Sequence, residues 1–224
     1  MSLIAEDEQV RIYKIVLGPY ATNTYALVNK ETRQSILFDA PDEPDKIMAL
    51  LYGTDPIYIF LTHSHMDHTG ALQDIVRNIR VDYGTEGEFE PICVAANIHD
   101  HPKIPLACHM RLEQDDFIRL GKVKVYVLHT PGHTPGSVCL RINKFLIAGD
   151  TIFPGGPGHT NSPEEFNEII KSITEKIFAL PDDTQIFPGH GDSTIVGKAK
   201  QEYAAFAARE HKQLLCGDVE WAKS

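Results

Sequence analysis

Short apolar runs broken by turn residues fill the first sixty positions. Residues 10–17, 24–28 and 35–39 read as strands separated by Gly-Pro, Asn-Lys and similar turn signals. A helix is predicted over 43–52. The run 56–61, Pro-Ile-Tyr-Ile-Phe-Leu, is a buried strand that leads straight into a polar, histidine-rich loop. Leu72, Ile75, Val76 and Ile79 then fall at i, i+3, i+4 and i+7, the apolar stripe of a helix laid on a sheet. The pattern over 80–111 is less regular, with one strand expected near 92–95 and a mobile segment after it.

From Phe117 the chain turns β-rich. Residues 123–128 alternate, 138–142 follow a Thr-Pro-Gly-His turn, and 144–148 form a further strand. Ser162-Pro163-Glu164-Glu165 is a capping box with proline at the first helical position, and the helix it opens carries Phe166, Ile169, Ile170, Ile173 and Ile177. A short strand at 184–187 precedes Pro188-Gly189-His190, and a last helix is expected over about 197–215. Both halves thus share an order: several strands, then strand–loop–helix units with polar residues at the strand ends. Two sheets faced together with helices outside each would bury such strands on both sides, so the predicted class is α/β (α+β), a four-layer αββα sandwich. One domain over 1–224 is expected.

Composition narrows the function. The 224 residues are 42% hydrophobic and 23% charged, which excludes collagen-like, disordered and disulfide-scaffold chains. Thirty-one acidic against 21 basic residues leave a net charge of −10, a surface that repels polyanions, and no nucleic-acid partner is expected. No apolar run approaches the roughly 20 residues that span a bilayer, and the start is acidic where a secretory signal would be basic, so no membrane partner is expected. Cys93, Cys108, Cys139 and Cys216 form no C-x-x-C pair, which suits reduced thiols in the cytoplasm.

Candidate chemistry lies in the histidines. The loop after Leu61 reads Thr62-His63-Ser64-His65-Met66-Asp67-His68-Thr69-Gly70. His63 and His65 are two apart, so on an extended strand end they project to one side and can grip one ion. Asp67 and His68 stand where the chain turns into the next helix and can reach a second position nearby. Chance yields H-x-H-x-D-H about once in several hundred such chains. Three later strands each end in a tight turn with one ligand-type residue: 128–133 with His133, 147–150 with Asp150, and 186–190 with His190. The glycines there permit close backbone approach, so the side chain can be aimed into a shared pocket. With the first loop these turns make a set of five His and two Asp, ligands suited to zinc, iron or manganese.

In its order and spacing, the set H-x-H-x-D-H, H-T-P-G-H-T-P-G-S, G-D-T-x-F and P-G-H resembles the metallo-β-lactamase-fold superfamily, and within it the hydroxyacylglutathione hydrolases (glyoxalase II-like). The resemblance implies that His63, His65 and His133 hold one metal ion, that Asp67, His68 and His190 hold a second, and that Asp150 bridges them. The cofactors it implies are two divalent ions, zinc first, with iron or manganese as alternatives. The implied reaction is attack by a metal-bridging hydroxide on a small thioester or ester, with Asp67 or Asp150 orienting the hydroxide or passing a proton; a water between two cations is acidified from about 15.7 to near neutrality. A small-molecule acyl substrate and a monomer or homodimer are expected.

Several departures from the family bear on the substrate. Common β-lactamase classes lack the bridging Asp, so β-lactam hydrolysis is not expected. The chain closes soon after one helix, where glyoxalase II enzymes carry a further helical region. His159 stands about where relatives place Lys or Arg, and Asn161 where they place Tyr or Asp; both are candidate substrate contacts on a Gly/Pro-rich loop read as a flexible lid. The alternatives are a mononuclear-iron persulfide dioxygenase using His63 or His65 with His133 and Asp150, a lactone hydrolase, and last a non-enzymatic metal-stabilised binding module. Asp39 is a candidate support for a ligand histidine. Asn23 could line the pocket, and core packing is expected for Tyr20 and Tyr25. His99, His101, His109, His129 and His211 are expected to stand apart from the ligand set.

Overall fold

The computed structural model of the chain describes residues 2–82, 92–211 and 214–223. The first half forms a seven-stranded sheet in sequence order: β1 (Ser2–Glu6), β2 (Val10–Leu17), β3 (Thr22–Asn29), β4 (Gln34–Phe38), β5 (Asp55–Phe60), β6 (Cys93–Ala96) and β7 (Met110–Arg111). Pairing is antiparallel as far as β4 and parallel from there to β7. Helix α1 (Pro44–Leu51) crosses from β4 to β5; the short α2 (Met66–Thr69) and then α3 (Leu72–Asp82) follow β5.

The second half supplies β8 (Phe117–Leu120), β9 (Val123–His129), β10 (Val138–Ile142), β11 (Phe145–Gly149), the two-residue strands β12 (Ile152–Phe153) and β13 (Gly156–Pro157), then β14 (Gln185–Pro188) and β15 (Thr194–Ile195). Six of these form a sheet ordered β15-β14-β11-β10-β9-β8, while β12 and β13 make a separate hairpin. Helix α4 (Pro163–Ser172) runs on through a π-helical turn, Ile173–Ile177, and α5 (Val196–Ala207) follows β15.

Period-two alternation explains the layering. Ile36 and Phe38 face the second sheet, where they join Phe60, Val125, Val127, Leu140 and Phe187 in the central core. Leu37 faces the other way and packs with Ile59, Ile47, Leu51, Leu72 and Ile75 beneath α1 and α3. On the far side, Leu146 and Ile186 meet Phe166, Ile169, Ile173 and Phe206 of the α4 and α5 layer. Each such fully buried side chain contributes about 1.5–3 kcal/mol. These are the four layers the strand order predicts, an αββα sandwich.

Strand direction positions the site. β11 and β14 are parallel, and β9 runs with them because β10 is antiparallel to both neighbours. The loops leaving β9, β11 and β14 therefore emerge at one edge, and Val138 N–H donates to the Thr62 carbonyl at 2.9 Å to bring the loop after β5 alongside.

Two expectations need correction. The last helix stops at Ala207 rather than near 215, and the positions 212–213 lie outside the described residues. Residues 214–223 instead fold back over the β12–β13 hairpin: Gly217 bridges Thr160, Trp221 N–H donates to the Gly155 carbonyl at 2.7 Å, and the Trp221 ring is buried against Tyr203 and Phe178. Beyond β6, the segment read as mobile is tied down by Asn97 Nδ2 donating to the Leu112 carbonyl at 2.8 Å and by the pairing of β7 with β6. Part of the irregular stretch, residues 83–91, is outside the described residues.

Candidate metal centre

Leu61 continues the buried line of β5, and the chain then turns polar at Thr62. His63 and His65 follow, His65 in extended backbone, and α2 begins at Met66, so Asp67 and His68 sit on its first turn. The turn after β9 presents His133, the end of β11 presents Asp150, and the turn after β14 presents His190. Gly189 is needed there for space: a Cβ would run into the Asp150 carboxylate and the His68 ring. Gly132 is needed likewise, because a Cβ would strike the α4 backbone at Ile169.

All seven predicted ligands converge. His65 Nδ1 faces His63 Nε2 at 3.1 Å and His133 Nε2 at 3.0 Å. Alongside, His190 Nε2 stands 3.3 Å from both His68 Nε2 and Asp67 Oδ2. Asp150 lies between the groups: Oδ1 is 3.5 Å from His68 Nε2, while Oδ2 is 3.4 Å from His190 Nε2 and 3.7 Å from His133 Nε2. Donors bound tetrahedrally at 2.1 Å stand about 3.4 Å apart, and these spacings bracket that value.

The surroundings fix which nitrogen faces inward. His133 Nδ1 donates to the His159 carbonyl at 2.9 Å and His190 Nδ1 to the Tyr20 carbonyl at 3.0 Å. Carbonyls only accept, so each Nδ1 carries the hydrogen and each Nε2 is left as a ligand. His68 Nδ1 is held by Asp39 Oδ2 at 2.8 Å, and Thr62 Oγ1 donates to that same oxygen while facing His63 Nδ1 at 3.1 Å. Asp39 is thus the support for a ligand histidine expected from sequence. Asp150 Oδ1, buried, has no hydrogen-bond partner. A cluster of inward-facing imidazole nitrogens with an orphaned buried oxygen fits a cation.

Charge within the metal-free cluster is divided. Burial and the neighbouring His68 charge push His63 well below its ordinary value, and burial with His133 lowers His65. Hydrogen bonds donated to Asp150 and Asp67 push His190 up to about 10. Burial opposes a charge on His68, yet Asp39 and Asp150 outweigh it and push this imidazole up to about 10 as well. Burial also opposes ionisation of Asp150, but His190 and His68 hold its carboxyl well below the usual range, and His190 lowers Asp67.

A cleft of about 330 Å³ opens onto His133, Asp150 and His190 between the β12–β13 hairpin and the C-terminal segment, with His159, Asp218 and Glu220 on its walls. His159 therefore reaches the cleft as expected, its ring paired with Asp218 at 2.9 Å. Asn161 does not line it: its backbone and side-chain amides both turn to Glu165 Oε2 at the start of α4. Tyr25 is buried, its hydroxyl donating to the Pro188 carbonyl, but Tyr20 is 68% exposed and contributes its carbonyl to His190 rather than its ring to the core. Asn23 is buried and binds the Pro188 and Gly191 carbonyls. His99 stacks on His129, His101 and His109 bond backbone of β6, and His211 stacks on Phe206, all outside the ligand cluster.

One buried carboxylate was not legible as a site residue. Asp100, fully buried, accepts from Ser64 N–H at 2.8 Å, Thr134 Oγ1 at 2.8 Å and Gly136 N–H at 3.0 Å. A lone Asp in an irregular stretch carries no spacing signal.

An αββα sandwich with a His/Asp cluster at one edge of its paired sheets defines a divalent-metal site on a metallo-hydrolase scaffold. The chain belongs to the metallo-beta-lactamase superfamily, whose sequence profile matches residues 17–190. It is 32% identical over 203 residues to the probable metallo-hydrolase YqgX of Bacillus subtilis, covering 82% of this chain and 91% of that one. To the hydroxyacylglutathione hydrolase GloC of Haemophilus influenzae it is 28% identical over 188 residues, covering 79% and 89%. Among solved structures it is similar to the B3 metallo-beta-lactamase BLEG-1, with a TM-score of 0.73 and 26% identity over 85% of this chain and 96% of that one. It is also similar to TTHA1623 in a di-iron-bound form, with a TM-score of 0.69 and 28% identity over 84% and 97%.

Proposed function

We propose that the chain holds two divalent metal ions, zinc first with iron or manganese as alternatives, and hydrolyses a small thioester or ester. The observation that carries this is the place of Asp150, whose carboxylate lies within 3.7 Å of His133 in one ligand group and within 3.5 Å of His68 and His190 in the other. His63, His65 and His133 would hold one ion and Asp67, His68 and His190 the other, with Asp150 shared. Bound there, such ions would supply an acidified water and polarise an acyl carbonyl.

The chain's own groups do the rest. The Asp39, Tyr20 and His159 acceptors keep the imidazoles aimed before substrate arrives, so no reorientation is needed during the reaction. Asp67, with 22% of its side chain exposed against 11% for Asp150, is the carboxylate placed to pass a proton outward. The hairpin and the C-terminal segment wall the cleft and limit water. Among the described residues no lysine or arginine lines it, so a glutathione carboxylate finds no cationic partner there. The name of the GloC relative supports thioester hydrolysis; the acidic walls, with Asp218 and Glu220, favour acyl substrates that are not gripped through a carboxylate.

The test is turnover by the zinc-loaded chain on S-lactoylglutathione, a neutral thioester, a lactone, a simple ester and a β-lactam, with the Asp150→Ala chain as control. Thioester or ester hydrolysis that disappears in the variant is expected. Oxygen uptake on glutathione persulfide with one iron per chain, or β-lactam turnover alone, would contradict the proposal.

A further inference from the structure

Asp39 secures the ligands on one side of the cluster, and the structure holds a second buried carboxylate in the equivalent place on the other. Asp39 follows β4 and Asp100 follows β6, two strands flanking β5, whose end starts the H-x-H-x-D-H loop. Asp100 Oδ2 accepts from Ser64 N–H, the residue between His63 and His65, and from the hydroxyl of Thr134, the residue after His133. Its Oδ1 accepts from Gly136 N–H in the same turn. A Cβ at Gly136 would overlap the Asp100 carboxyl, so this turn is built to receive it. One side chain therefore ties together the two chain segments, distant in sequence, that carry His63, His65 and His133.

We propose that Asp100 is a positioning residue for the ion held by His63, His65 and His133, setting the spacing of those imidazoles from behind. This rests on the two-ion proposal above. No atom of Asp100 is assigned to the ion. Its action passes through Ser64 and Thr134, whereas His68 and His190 take their orientation from Asp39 and the Tyr20 carbonyl and make no contact with it. Asn at 100 offers one acceptor and one donor. Its NH2 must therefore face either the Ser64 N–H or the Gly136 N–H, and one of the two ties is lost.

Zinc affinity measured by chelator competition in single-site backgrounds tests the assignment. His190→Ala leaves the His63/His65/His133 site, and adding D100N there should weaken zinc binding about 10–100-fold. His65→Ala leaves the Asp67/His68/His190 site, and adding D100N there should change affinity by less than about threefold. Thr134→Val in the His190→Ala background should weaken binding severalfold while Thr134→Ser, which keeps the hydroxyl, should not; this pair decides the matter if D100N does not melt cooperatively. Equal losses in both backgrounds, or no loss with D100N or Thr134→Val in the first, would overturn the assignment. A His190→Ala chain that binds no zinc at all would overturn the two-ion proposal itself, and this one with it.

Discussion

Replacing Asp39 by Asn probes how the fold tunes its ligands. Asp39 is 2% exposed and accepts from Thr62 N–H, Thr62 Oγ1 and His68 Nδ1, each at 2.8 Å. An Asn that keeps its oxygen on Thr62 N–H turns its NH2 towards His68 Nδ1. The ring then accepts at Nδ1 and carries its hydrogen on Nε2, the atom aimed at His190 and Asp150, so it no longer presents a lone pair there. Loss of a buried hydrogen bond to a charged group costs about 1.5–3 kcal/mol. A change in an outer partner of a metal-ligating histidine typically costs 10–100-fold in affinity, about 1.4–2.7 kcal/mol, and the two routes agree. Chelator competition should therefore show one of the two zinc ions weakened by that factor, and nitrogen-15 NMR of the metal-free chain should show the His68 Nδ1 hydrogen lost. Wild-type affinity for both ions with Nδ1 still protonated would refute the reasoning.

Three further outcomes follow from the same structure. Their carboxylate partners push His68 and His190 each up to about 10 without metal, so at pH 8 the facing pair holds a proton between its Nε2 atoms that a cation must expel. Loading zinc should release about two protons per chain, one from this pair and one from the acidified water, read as the dependence of calorimetric heat on buffer ionisation. Both imidazoles stand above their ordinary 6.5, so their stabilisation of the metal-free chain is full below that pH and is lost as pH rises through about 10. The metal-free melting temperature should accordingly fall over that window, and a flat profile would contradict it. Trp221→Ala empties a site 1% exposed against Tyr203 and Phe178. It should cost about 3–5 kcal/mol, a drop of about 6–20 °C by calorimetry, and raise KM through the loosened cleft wall without changing metal content. An unchanged melting temperature would show that the C-terminal segment is not anchored there.

The layers and the ligand set were legible because both are periodic signals. The apolar run within 35–39 and the alternation in 123–128 mark strands, and H-x-H-x-D-H with three glycine turns marks one edge. What escaped has no such period. Edge strands of two residues, β7 and β15, are too short to alternate. Helix-forming residues after Ala207 leave the helix, and the segment beyond them is held on the hairpin by Trp221, a tertiary choice that propensity cannot register. Asn161 was a candidate by position in the motif, yet Glu165 claims it. The carbonyls of Tyr20 and His159, which aim His190 and His133, belong to the backbone and leave no trace in residue type.

The central claim is that the five imidazoles and two carboxylates hold adjacent cations on which the chemistry depends. Metal analysis of the purified chain, paired with thioester hydrolysis before and after exhaustive chelation and again after zinc is restored, tests it most directly. Two ions per chain are expected, with activity abolished on stripping and recovered as the second equivalent of zinc is added. Undiminished hydrolysis by chain stripped of metal would contradict it.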